Sequence, residues 1–153
     1  MATIDVQIAS NSGESPSPEK IESWAQAALA GENAGLELTV RIVDEPESAE
    51  LNQAYRKVTG PTNVLSFPFE APAEVMLPLI GDVVICAPVV LREAAEQQKA
   101  VDAHFAHMVV HGALHLLGFD HGDDADARRM EAEERRILQS LGFPDPYARG
   151  RAS

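Results

Sequence analysis

Three of the five histidines, His111, His115 and His121, fall within the segment HGALHLLGFDH. On a helix, residues four apart share a face, so His111 and His115 present two imidazoles to one point in space. Gly118 follows where such a helix should stop. Glycine takes positive φ without penalty, so the chain can turn there and bring His121 back as a third ligand. Three neutral ring nitrogens with one position left open are the composition of a catalytic zinc site, whereas a structural site wants a fourth protein ligand. Three of five histidines at these offsets have a chance expectation of about 0.005, which makes the spacing a signal rather than an accident.

The neighbouring groups carry weaker readings. His104 and His107 lie on the same predicted helix face. They are an alternative ligand pair, packed residues, or, for His107, a hydrogen-bonding partner that orients a ligand histidine. Asp120 is a candidate catalytic residue: an acceptor behind a ligand, a general base, or a plain turn residue. Arg56 taken alone reads as a helix-end arginine favouring the dipole. Thr62, Asn63 and Ser66 either line a groove or cap a turn. Phe67 and Phe69 belong to an apolar strand, with base stacking as the functional alternative. The run Glu131, Glu133, Glu134, Arg135, Arg136 reads as a solvated helix face.

The histidine offsets also match the metzincin protease pattern H-E-x-x-H-x-x-G-x-x-H, in which the glutamate beside the first histidine is the general base. Here that position is Gly112, which cannot take a proton. A peptidase, or another metal-dependent hydrolase, remains the alternative enzyme class. A non-catalytic assembly factor with a structural metal is the alternative outside enzymes.

HGALHLLGFDH more closely resembles the signature of the YbeY family of bacterial endoribonucleases and rRNA maturation factors. YRKVTGPTNVLSFPFE, from Tyr55 to Glu70, resembles a second motif of that family, and so does Gly81-Asp82-Val83. The likeness runs from about Leu51 to Leu141, with Phe119 where tyrosine is common. The resemblance implies His111, His115 and His121 as metal ligands, usually to zinc, one ion per chain. It implies Arg56 as a functional arginine beside the site. The implied activity is metal-dependent cleavage of single-stranded RNA, acting on the 3′ end of 16S rRNA and in ribosome quality control. The implied partners are RNA and the ribosome or its proteins.

The elements that must hold these residues can be read from periodicity. Thr3–Ala9 alternates apolar and polar residues as a half-buried strand, and Leu36–Val43 does the same. Ser17-Pro18 opens a helix that Gly31 ends. Asp44 and Glu47 have capping-box spacing for a helix running to about Arg56. Val64–Phe69 is a third strand, with Pro68 pointing to an edge, and Gly81–Cys86 is a fourth. Ala71–Pro78 reads as irregular. Pro88–Lys99 and Val101–Leu117 are predicted helices. A last helix capped by Asp123 or Asp124 reaches about Leu141, with Met130, Ile137, Leu138 and Leu141 facing the core. Pro146–Ser153 is expected to fray.

The expected fold is therefore α+β. One domain over 1–153 holds a small mixed four-stranded sheet packed with about five helices, and the metal site lies at the end of a helix in the C-terminal half. With 153 residues, 45% hydrophobic and 24% charged, the chain is an ordinary globular one. A single cysteine, Cys86, excludes an internal disulfide and points to inert core in a cytoplasmic protein. No apolar run is long enough to span a membrane. The net charge of −12 opposes nucleic acid at long range, so RNA must be met by a local cationic cleft on an acidic body.

Overall fold

A computed structural model describes residues 1–69, 78–120 and 122–148. The elements are β1 (Thr3–Ile8), α1 (Pro18–Ala28), β2 (Glu37–Val43), α2 (Glu45–Arg56), β3 (Val64–Pro68), β4 (Leu79–Cys86), α3 (Ala87–Glu96), α4 (Val101–Leu116) and α5 (Asp124–Ser140), with one 3-10 turn at Gly31–Asn33. The sheet order is β1-β2-β4-β3. β1 and β4 run parallel to β2, and β3 runs antiparallel to β4. This is the small mixed sheet with five α-helices that the periodicity predicts. Pro68 does sit on an edge strand, where its missing N–H leaves no ladder bond unmade.

Alternation along the strands assigns the two faces. Leu38, Val40 and Ile42 of β2 and Val83 and Ile85 of β4 join Ile21 and Trp24 of α1, Phe105, Val109 and Ala113 of α4, and Ile137 and Leu138 of α5 in the main core. Val43, Leu65, Val84 and Cys86 face the other way, against Val89 of α3 and Leu51 of α2. Helix α4 is apolar around most of its circumference because it is central, touching the sheet, α1, α3 and α5. Cys86 is buried in this second cluster, and burial pushes its thiol pKa up, as expected of an inert core cysteine.

Two local expectations differ. Ser17 caps α1 as predicted, accepting from the Lys20 amide, and Asp123 caps α5, accepting from the Asp126 amide. Asp44 sits at the N-cap of α2 without capping it. Its carboxylate accepts instead from the Ser10 hydroxyl and the Asn11 amide, which holds it below the usual carboxylate range. Glu47, the other half of the predicted box, pairs with Arg41 of β2 at 2.7 Å. Of the segment expected to fray, Pro146–Ser153, residues 146–148 are described and are anchored through Tyr147, as shown below; residues 149–153 lie outside the described residues. Of the predicted irregular stretch Ala71–Pro78, residues 71–77 lie outside the described residues.

Candidate active site and metal centre

Helix α4 places His111 and His115 one turn apart, with ring centroids 5.0 Å apart. The helix ends as the sequence predicts. Gly118 has φ +102°, the amide of Phe119 bonds to the Leu114 carbonyl at 3.0 Å, and the Gly118 amide bonds to the His115 carbonyl at 3.1 Å. This paired closure needs a left-handed residue at position 118, which glycine supplies without strain. Gly112 faces the sheet. A Cβ there would lie 2.6 Å from Val83 Cγ1 and 3.3 Å from Ser66 Oγ, and Ser66 donates to the Gly112 carbonyl at 3.1 Å. Any side chain there would force Val83 to shift, so the packing disfavours a glutamate base at this position.

Behind His111 lies a group that its sequence neighbours disguise. Glu134 of α5, predicted as part of a solvated charge run, is 0% exposed. One of its oxygens is 2.6 Å from His111 Nδ1. The other accepts from the Tyr147 hydroxyl and lies 3.5 Å from His107 Nε2. Burial alone would raise this carboxyl, but hydrogen bonds from His107, His111 and Tyr147 hold its pKa down at about 2. An ionised carboxylate can only accept, so His111 carries its proton on Nδ1. Its Nε2 is left as a lone-pair nitrogen turned away from Glu134, which is the tautomer a metal requires. Burial and the adjacent carboxylate also push the Tyr147 phenol upward.

His107, His111 and Glu134 bring one donor atom each within 4.8 Å of one another, a group that could hold a metal ion. Ligand atoms about 2.0–2.1 Å from a tetrahedral ion stand about 3.3 Å apart. The 2.6 Å between Glu134 and His111 Nδ1 is shorter and is that of a hydrogen bond. The donor chemistry therefore suits an imidazole-ligated ion on the far side of His111, with Glu134 holding the ring from behind.

His111 and His115 also border a cleft of about 650 Å³. Arg56 and Tyr55 form its rim, and Thr62, Asn63 and Ser66 supply polar lining. Among its described lining residues there is no carboxylate. Arg56 is the last residue of α2, and Lys57 closes that helix with φ 59°. The loop that follows is pinned from α2. Ser48 Oγ donates to the Thr62 carbonyl at 3.0 Å and accepts from the Thr62 amide at 3.1 Å. Asn52 Nδ2 donates to the Gly60 carbonyl at 2.8 Å. Both side chains are buried, and neither was legible as a positioning residue.

A family model described as Endoribonuclease YbeY matches residues 7–142. The chain belongs to the YbeY endoribonuclease family. It is 54% identical over 149 residues to Endoribonuclease YbeY of Pseudomonas savastanoi pv. phaseolicola, covering 97% of this chain and 89% of that protein. It shares 26% identity and a TM-score of 0.64 with a solution structure from Thermotoga maritima, covering 92% of this chain and 89% of that one. Membership makes the chain a nuclease, and so a hydrolase.

Within this YbeY-family fold the predicted residues divide. His111, His115 and Arg56 come together on one cleft. Asp120 lines a different one, with Asp126 and Arg129. His121 lies outside the described residues. His104 is buried and bonded to Glu93 at 2.9 Å, a packed residue. His107, a predicted candidate for orienting a ligand, bonds to Tyr147, and the orienting group is Glu134. A signal for Glu134 did exist: it continues the stripe of Met130, Ile137 and Leu138, four residues after the first and three and four before the others.

Proposed function

We propose that this chain is a zinc-dependent, single-strand-specific endoribonuclease of rRNA maturation, acting on the 3′ end of 16S rRNA and in ribosome quality control. Its proposed partners are single-stranded rRNA segments and the ribosome or its proteins, in the cytoplasm. The observation that carries the reading is the shared cleft, which two imidazoles at helical spacing line together with Arg56, with no carboxylate among the described lining residues. His111, His115 and His121 would hold one zinc ion. A zinc ion there supplies Lewis acidity, which acidifies water and polarises a phosphoryl oxygen.

The protein's own groups do the rest. Arg56 is permanently charged and forks onto two phosphate oxygens, stabilising charge that develops as the phosphodiester is attacked. Glu134 keeps His111 in the Nδ1–H tautomer. Asn63 and Ser66 offer hydrogen bonds along the strand. Asp120, beside His121 and on another cleft, suits an acceptor supporting that ligand better than a base. Gly112, closed in by Val83 and Ser66, counts against the peptidase alternative.

The test uses metal-replete protein and an rRNA fragment with a single-stranded 3′ tail, with identically purified His115→Ala protein beside it. The expected result is tail cleavage by the wild type alone, abolished by chelator and restored by zinc. Equal cleavage by both proteins, or by neither, would overturn the nuclease reading of this site and favour an assembly role for the metal.

A further inference from the structure

Of the two phenylalanines that the sequence offers as base-stacking surfaces, Phe67 is half-buried and partnered by a tyrosine. Phe67 of β3 packs against the ring of Tyr55, with centroids 4.4 Å apart and planes at 52°. Tyr55 is the outer member of the pair and is 67% exposed. Exposure of one ring is ordinary on a protein surface; what sets Tyr55 apart is that its exposed ring borders the cleft holding His111 and His115 and sits next to Arg56. Phe67 backs it, and α2 carries it on the last turn, beside Arg56. Both residues border the cleft that contains His111 and His115. We infer that Tyr55 is a stacking platform for one unpaired nucleobase of the RNA, seated beside the phosphate that Arg56 engages.

The inference rests on the single-stranded RNA reading and gives it a physical cause. A base already stacked in a duplex cannot lay its face on a protein ring, whereas an unpaired base can, and any of the four bases will serve. The backing by Phe67 matters, because a preformed ring face costs little ordering on binding. The pairing of one aromatic with one guanidinium also lets an acidic chain hold RNA with few cations, since stacking needs no charge.

The experiment measures binding of a short fluorescein-labelled single-stranded RNA by anisotropy in zinc-replete protein. A series of the same RNA carries one abasic nucleotide at successive positions. Tyr55→Phe keeps the face and should bind as the wild type. Tyr55→Leu keeps an apolar cover over Phe67 without the aromatic face, and Tyr55→Ala removes both. Losing a base–aromatic stack should weaken binding by about five- to hundredfold for both Leu and Ala. One abasic position should weaken wild-type binding by a similar factor, yet have no further effect in Tyr55→Leu, whose melting temperature shows it folded. Wild-type affinity in Tyr55→Leu overturns the platform, as does equal sensitivity of both proteins to every abasic position. If wild-type protein does not distinguish single-stranded from duplex RNA, the single-strand reading itself fails and the platform with it.

Discussion

Glu134 shows how much one side chain can decide. Its charge is compensated by three hydrogen-bonding groups, so it stays ionised although buried. The interaction fixes which nitrogen of His111 carries the proton. Orienting groups of this kind typically contribute a factor of 10 to 100 in metal affinity. Glu134→Gln keeps an acceptor oxygen but not the charge, and its amide nitrogen competes to donate. Zinc affinity, measured by competition with a chromophoric chelator, should fall by about 10- to 100-fold. Histidine nitrogen NMR shifts should show His111 losing its single Nδ1–H tautomer. Unchanged affinity and tautomer would show that Glu134 is only a packing residue. The sequence hid this residue because its neighbours, Glu133, Arg135 and Arg136, pair with Arg136, Asp145 and Glu133 on the outer face. One carboxylate in the run is drawn inward only because His111 lies 23 residues earlier on a helix that packs against its own.

Helices and strands were the legible part. Their periodicity, Ser17 and Asp123 as caps and Gly118 as a stop survive into the structure within a few residues. What periodicity cannot show is how closely elements approach. Gly112 is where α4 meets β4, and a methyl group there would press on Val83, a stiff β-branched residue. Gly112→Ala gains about 1 kcal/mol of helix propensity but overpacks at about 1–3 kcal/mol. The net effect should be a melting temperature lower by a few degrees. An unchanged or higher melting temperature would show that the layers have slack. A second seam is polar: Asn63, before β3, bonds to Glu93 of α3 at 3.1 Å, and Glu93 bonds to His104 of α4 at 2.9 Å. Burial lowers the pKa of His104, with Glu93 only partly opposing it. The unfolded chain therefore takes up a proton below about pH 6.5 that the folded chain resists, so His104 favours the folded state above that pH and its contribution fades as pH falls. In zinc-free protein, His104→Gln should flatten the loss of urea stability between about pH 6.5 and 5. A slope identical to wild type would assign that loss to other groups.

At the scale of the whole molecule, the sequence poses a conflict between a net charge of −12 and an anionic substrate. The structure concentrates the answer in one place. Arg56 and two histidines border the cleft, and no carboxylate is among its described lining residues, while Glu134 faces the rear of His111. Two electrostatic effects then oppose each other as salt is added. Neutralising a phosphate releases counterions, which makes single-stranded binding weaken with a slope of about −0.7 per contact in log K against log salt. The acidic body repels RNA at long range, and salt screens that repulsion. With few cationic contacts the first effect is small, so the second is visible against it. Wild-type affinity for single-stranded RNA should therefore fall only shallowly between about 50 and 300 mM salt, far less than for a protein with 6–10 phosphate contacts. Arg56→Ala removes one contact and should bring the slope about 0.7 closer to zero, toward or past the point where added salt strengthens binding. Anisotropy titrations of both proteins across that range decide the matter. A steep wild-type slope would mean that RNA spreads over cationic groups beyond this cleft, and an unaltered slope in Arg56→Ala would mean that this arginine does not meet phosphate.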